Sequence, residues 1–111
     1  MEKTIIIDGK EVAFKSTGAL PKRYKMQFQR DFFSDLMTME SIVGKKKPSV
    51  QDIREIDFEV FYDIAWCLAK AANQSIPDPL TWLDSFSEFP IIEILPELQD
   101  MLAMSISSKK K

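Results

Sequence analysis

Two acidic residues on one predicted helix are the best candidates for acid–base chemistry in this chain. Glu59 and Asp63 are four positions apart, so a helix would place both carboxylates on one side. Such a pair could bind a divalent cation or transfer a proton. The simpler interpretation is that both carboxylates, with Lys70 further along, form the solvent-exposed side of that helix. We adopt it, and therefore predict no catalytic residue, no metal site and no cofactor.

The residues that the chain lacks exclude several other kinds of site. It contains no histidine, which excludes histidine-based triads and zinc sites with histidine ligands. Its one cysteine, Cys67, has neither a histidine to activate it nor a second thiol for a disulfide, and it stands between Trp66 and Leu68. We interpret it as a buried structural thiol. With three glycines, the chain has neither a Walker loop nor a dinucleotide-binding motif.

The size and composition of the chain are typical of one domain with its own core. It has 111 residues, of which 45% are hydrophobic, and we predict a single domain over residues 1–111. No apolar run approaches the roughly 20 residues that span a bilayer. A lone cysteine fits a reducing compartment. We therefore expect a cytoplasmic protein without a membrane partner.

The charges are unevenly distributed along the chain. The net charge is only −2, yet bases predominate up to Arg54, and Lys70 is the single base between Glu55 and Ile106. The simplest interpretation is that the two halves attract each other or stay solvated, since no base-reading motif accompanies the charge. The alternative is a nucleic-acid surface formed by the basic residues of the first predicted helix, which are Lys22, Arg23, Lys25 and Arg30.

The elements that would position these residues begin with a β-hairpin. Residues 3–7 and 10–15 are rich in β-branched and alternating apolar residues, and Asp8-Gly9 between them is a strong two-residue turn signal. An isolated hairpin is only marginally stable in water. We therefore expect it to pack on the rest of the chain, which gives an α+β fold, mainly helical, with a hairpin on a small helical bundle.

Residues 21–104 form the predicted helical part. A first helix over 21–39 carries an apolar stripe, and a helix over 58–73, capped by Asp57, is apolar nearly all round and is therefore the predicted core helix. Between these two helices we predict a loop over 40–55, in which Ser49 caps a short turn. After the core helix we predict a short helix over 79–86 capped by Asp78, and a helix over 90–104 that Pro96 kinks or restarts. Residues 105–111 form a flexible tail.

Two groups of apolar side chains are candidates for a partner-binding surface. Met26, Phe33 and Met37 project from a different side of the first helix than its main stripe, which consists of Tyr24, Phe28, Phe32, Leu36 and Met39. Methionine adapts to irregular surfaces, so the group suits either the core or a binding face. The second group could form an exposed aromatic patch or belong to the core, and consists of Trp66, Trp82, Phe86 and Phe89.

Several short motifs resemble those of tail assembly chaperones of long-tailed phages and prophages of Gram-positive bacteria. They cover most of the chain and are VAFK at 12–15, LPKRY at 20–24, FQRDFFSDL at 28–36, IAWCLAKAA at 64–72, PLTWLDSF at 79–86 and LPEL at 95–98. These are packing and capping patterns and contain no catalytic signature. Gln29 stands where the helix opening of that family has glycine.

The resemblance implies a non-enzymatic role in virion assembly. Proteins of this family act on the tape-measure protein, whose long apolar helices aggregate before the tail-tube protein polymerises around them. The implied function is a chaperone of the host cytoplasm, absent from the mature virion, that keeps the tape-measure protein soluble. The tail-tube protein is a second candidate partner, and self-association stays open. The rival hypothesis is a small nucleic-acid-binding phage regulator that uses the basic first helix.

The C-terminal lysines fit a further property of that family, in which many members occur as a short form and a longer form made by translational frameshifting. Lysine codons are AAA or AAG, so Lys109, Lys110 and Lys111 require an A-rich stretch suited to slippage. The alternative interpretation is a solubilising tail.

Overall fold

A computed structural model of the chain describes residues 1–39 and 49–107. It has the α+β, mainly helical architecture that the sequence predicts. In chain order the elements are β1 (Glu2–Ile7), β2 (Lys10–Lys15), α1 (Leu20–Phe28), α2 (Phe32–Met37), α3 (Val50–Arg54), α4 (Phe58–Ala72), α5 (Pro79–Asp84) and α6 (Ile91–Ser107). No helix within the described ranges is long and apolar enough to cross a membrane.

The hairpin forms in the predicted register and packs on the helices. β1 and β2 are antiparallel, with Ile7 opposite Lys10. Asp8 and Gly9 both have positive φ, 55° and 75°, as the favoured two-residue hairpin turn requires. β2 lies against α4 and β1 against α6, so the buried side of the hairpin, with Phe14 fully enclosed, becomes part of the core.

The prediction of one helix over 21–39 is wrong, because the chain breaks after Phe28. Gln29 adopts a left-handed backbone with φ 62° and ends α1, its N–H donating to the carbonyl of Lys25. Asp31 then starts α2 by accepting a hydrogen bond from the backbone N–H of Ser34 at 2.9 Å. Glycine adopts this backbone without a Cβ penalty, so it would fit the position of Gln29 well.

Helix α4 is the centre of the fold, as the sequence predicts. Asp57 caps its N-terminus by accepting from the backbone N–H groups of Glu59 and Val60. Eight of its residues are buried, and these are Val60, Phe61, Ile64, Ala65, Trp66, Cys67, Leu68 and Ala69. Phe58, which the apolar pattern placed in the core, is exposed at the first turn.

The shorter elements follow their capping signals. Ser49 and Asp52 cap α3 reciprocally, each side chain accepting from the backbone N–H of the other. Asp78 caps α5 through the N–H of Thr81, although α5 ends at Asp84 and not at residue 86. α6 continues through Pro96 without a restart and includes residues 105–107 of the predicted tail. Residues 40–48 of the predicted loop, and 108–111 with the lysines of the frameshift hypothesis, lie outside the described residues.

Candidate functional site

A groove runs between α1 and α4, and we call it the α1–α4 groove. It has a volume of about 310 Å³ and is lined by Arg23, Met26 and Gln27 of α1 and by Trp66, Cys67 and Lys70 of α4. Met26 and Gln27 lie three and four positions after Arg23, and Lys70 lies four and three positions after Trp66 and Cys67, so each set lies on one side of its helix. The groove therefore follows directly from the packing of the first helix on the core helix.

The apolar part of the groove consists of Met26, Trp66 and Cys67. Met26 is 68% exposed, which is unusual for a large apolar side chain at a helix–helix junction. Trp66 is buried, and its indole N–H donates to the carbonyl of Pro77 at 2.9 Å. Cys67 is buried, as predicted, and this burial raises the pKa of its thiol to about 12, which makes it a poor nucleophile. The groove thus offers apolar contact and no reactive group.

The polar rim of the groove has one cation on each helix. On α4, the Lys70 ammonium lies 5.8 Å from the centre of the Trp66 ring and donates to the carbonyls of Gln74 and Ile76, at 2.8 Å each. On α1, Arg23 is exposed, and among the described residues no hydrogen bond or ion pair engages its guanidinium. The rim is therefore positively charged on both sides.

The predicted group Met26, Phe33 and Met37 is not one stripe, because the break at Gln29 separates Met26 from the other two. Met26 lies in the α1–α4 groove, whereas Phe33 and Met37 lie one turn apart on α2. Met37 is exposed, and Phe33 is half-buried with its ring 5.3 Å from that of Phe32. Two of the three side chains thus offer exposed apolar surface.

The second predicted group is largely a core feature. Trp82 is 4% exposed and packs edge-on against Phe14, so it offers no surface to a partner and that prediction is corrected. Phe86 and Phe89 are half-buried against it, with ring centroids 5.4 and 5.5 Å from Trp82. The three rings pack together because each of them removes a large apolar area from water when it is buried against the others.

The hairpin turn holds this aromatic cluster in place. Asp8 accepts from the backbone N–H of Ser87 at 2.8 Å, and the Lys10 ammonium donates to the carbonyl of Ser85. The same ammonium lies 5.3 Å from the centre of the Phe86 ring. The segment after α5 is thus tied to the hairpin, which favours a structural role for it.

The carboxylates of α4 do not form the predicted solvent-exposed pair. Glu59 is exposed, but the Asp63 side chain is only 14% exposed and accepts from Nη2 of Arg30 at 2.5 Å. Burial raises the pKa of Asp63, and the Arg30 guanidinium partly offsets this. No group of three or more potential metal-ligating residues occurs in the described part of the chain. Asp63 therefore has a structural partner that the spacing of acids in the sequence does not reveal.

Arg30 joins three side chains from different parts of the fold. Its Nε donates to Asp35 at 2.7 Å and its Nη2 to the Tyr24 hydroxyl at 2.9 Å, in addition to the bond with Asp63. Burial, followed by the hydrogen bond to Asp35, raises the pKa of the Tyr24 hydroxyl, which keeps it protonated. The sequence pattern does not reveal this cluster, because Asp63 is one of two acids in the polar wedge of α4 and nothing in their spacing distinguishes it from Glu59.

The four cations of the nucleic-acid hypothesis are not equivalent in the structure. Lys22, Arg23 and Lys25 are exposed on α1. Arg30 is engaged by the carboxylates of Asp35 and Asp63 and is not free for a phosphate. The basic surface of the first helix is therefore smaller than the sequence suggests.

Comparisons with protein-family models, with curated proteins and with solved structures found no match for this chain. The α1–α4 groove is the strongest candidate, because it combines an exposed apolar side chain, an apolar floor and a charged rim.

Proposed function

We propose that the protein is a phage tail assembly chaperone that binds the tape-measure protein and keeps it soluble in the host cytoplasm during tail assembly. The observation that carries this proposal is the exposure of Met26 beside the apolar floor of the α1–α4 groove. A chaperone for apolar helices needs such a surface while its own core stays closed. The motif resemblance supplies the identity of the client.

The mechanism is reversible burial of apolar side chains of the client. Burying one large apolar side chain contributes about 1.5–3 kcal/mol, so a single groove of this size binds weakly. A long helical client offers many such side chains, and several chaperone copies along it would together cover its aggregation-prone surface. Weak individual contacts also allow release when the tail-tube protein polymerises around the client. The process requires no cofactor and no chemical step.

Co-expression with the tape-measure protein of the same genome tests the proposal. Met26→Glu places a charge in the groove. We expect the variant to stay folded, because Met26 is 68% exposed and glutamate is a good helix former. We expect this variant to leave the tape-measure protein insoluble. Leu80→Glu is the matched control, since Leu80 is 69% exposed but lies outside the groove, and it should solubilise the client as the unmodified protein does.

Circular dichroism and light scattering on both variants distinguish loss of binding from loss of folding. A folded Met26→Glu variant that still solubilises the client would show that the client binds elsewhere. If Leu80→Glu alone loses activity, the client-binding surface lies near α5. If the unmodified protein does not solubilise the tape-measure protein, the proposed function is wrong.

A further inference from the structure

The charge on the rim of the α1–α4 groove indicates which helices it accepts. We propose that the groove selects amphipathic helices in which the apolar anchoring side chain is flanked by carboxylates. This inference rests on the proposed function, because it specifies the chemistry of the client segment that this same groove binds. The occupant is a partner helix, and a second copy of the chain is an alternative that the experiment separates.

The α1 wall supplies the first part of the argument. Arg23 lines the groove three positions before Met26, so its guanidinium lies on the same side of α1 as the exposed apolar side chain. Within the described ranges it has no acidic partner. The carboxylates of Asp35 and Asp63 form their ion pairs with Arg30 and not with Arg23. A planar guanidinium with free donors is well suited to bind a carboxylate through two hydrogen bonds.

The α4 wall supplies the second part. An ammonium group has three hydrogen-bond donors, and Lys70 uses two of them on the carbonyls of Gln74 and Ile76. These two bonds hold the cation at the rim, above the Trp66 ring. One donor remains for a ligand. A helix that inserts an apolar side chain beside Met26 would therefore meet a cation on either side, and carboxylates are the side chains that complement both.

The direct test uses two labelled synthetic peptides of roughly 20 residues, long enough to form a helix. Both carry the same leucine stripe, and one has glutamates and the other lysines beside it. Fluorescence anisotropy measures their binding to the intact protein. We expect the acidic peptide to bind about two- to fivefold more tightly, the size expected for exposed ion pairs, and the preference to weaken with added salt.

Variants locate the preference. Arg23→Glu should abolish or reverse it, while Lys22→Glu, with the same change in net charge at an exposed neighbour outside the groove, should retain it. Both substitutions place an acid near the N-terminus of α1, where it favours the helix. Met26→Glu should weaken the binding of both peptides.

Three outcomes would overturn the inference. Equal binding of both peptides, lost in Met26→Glu, would show an apolar groove without charge selection and leave the proposed function intact. Binding of neither peptide, with the tape-measure protein still solubilised, would also refute the inference alone. If light scattering shows an oligomer that Arg23→Glu dissociates in the absence of peptide, the occupant is a second copy of the chain.

Discussion

Arg30 and Asp63 lie 33 positions apart in the sequence, yet Nη2 of Arg30 donates to Oδ2 of Asp63 at 2.5 Å. Arg30 follows the helix break at Gln29, and Asp63 lies within α4, so the ion pair joins the α1–α2 junction to the core helix. The same guanidinium also binds Asp35 of α2. The position of α2 on the core therefore depends on a few charged contacts as well as on buried apolar side chains.

Removing Arg30 should destabilise the fold, because the carboxylates of Asp35 and Asp63 lose their cationic partner. We expect Arg30→Ala to lower the free energy of unfolding by about 1–2 kcal/mol, since hydrogen bonds to charged groups contribute about 1.5–3 kcal/mol and solvent screens a partly exposed pair. The Arg30 side chain is 42% exposed. Urea unfolding followed by circular dichroism measures the change, with Lys22→Ala as an exposed control. A double-mutant cycle with Asp63→Asn that shows no coupling would contradict the prediction.

Trp66 should be among the most sensitive positions of the core. It is buried in α4, packs edge-on against Phe28, and donates its indole N–H to the carbonyl of Pro77. We expect Trp66→Ala to cost about 3–5 kcal/mol and Trp66→Phe, which removes the hydrogen bond and part of the buried ring system, about 1–3 kcal/mol. Phe58→Ala, on the exposed side of the same helix, serves as the control. A loss below about 1 kcal/mol for Trp66→Ala would mean that Trp66 is not a core residue.

The N-cap of α2 should make stability depend on pH. The hydrogen bond from the backbone N–H of Ser34 lowers the pKa of Asp31 below its ordinary value of 3.8. Between the folded-state pKa of Asp31 and 3.8, the unfolded chain therefore binds more protons than the folded protein. The contribution of Asp31 to the free energy of unfolding is present above pH 3.8 and is lost as the pH falls through its pKa in the folded protein.

Asp31→Asn retains a capping side chain without the charge, so it isolates this effect. We expect the stability advantage of the unmodified protein over this variant to shrink as the pH falls below 3.8. Melting temperatures of both proteins across that range provide the measurement. An advantage that grows on acidification would contradict the assigned direction.

The buried thiol of Cys67 should react slowly in the folded protein. Burial raises its pKa from 9.0 to about 12, which reduces the thiolate fraction about a thousandfold, since each pKa unit is a factor of ten. Alkylation at neutral pH should therefore be slow in the native protein and fast in urea. Native labelling within about tenfold of the rate in urea would show that the floor of the α1–α4 groove opens to solvent.

We expect no binding of nucleic acid at physiological salt. Arg30 is held by two carboxylates, which leaves Lys22, Arg23 and Lys25 on α1, and so few phosphate contacts give weak binding that salt suppresses. Fluorescence anisotropy with labelled duplex DNA and single-stranded RNA measures this. Micromolar binding near 150 mM salt would instead favour the nucleic-acid-binding regulator.

Short-range signals in the sequence were sufficient to predict most of the elements. The Asp8-Gly9 turn, the caps Asp57 and Asp78, and the apolar run of α4 act within a few positions of the chain, so the local sequence determines them. The main apolar stripe of the first predicted helix also predicts the burial of Tyr24, Phe32 and Leu36. These three side chains are buried even though the predicted helix is divided into α1 and α2.

The pairing of Asp63 and the burial of Trp82 were decided by tertiary structure. Nothing within a few residues of Asp63 marks it as the partner of Arg30, because the chain must first fold α1 back onto α4. The α1–α4 groove also depends on tertiary structure. The sequence alone determined that Met26 lies off the main apolar stripe. Only the packing of α1 beside Trp66 and Lys70 decided that this methionine stays exposed next to an apolar floor with a cationic rim, since a groove is a property of two surfaces and not of one segment.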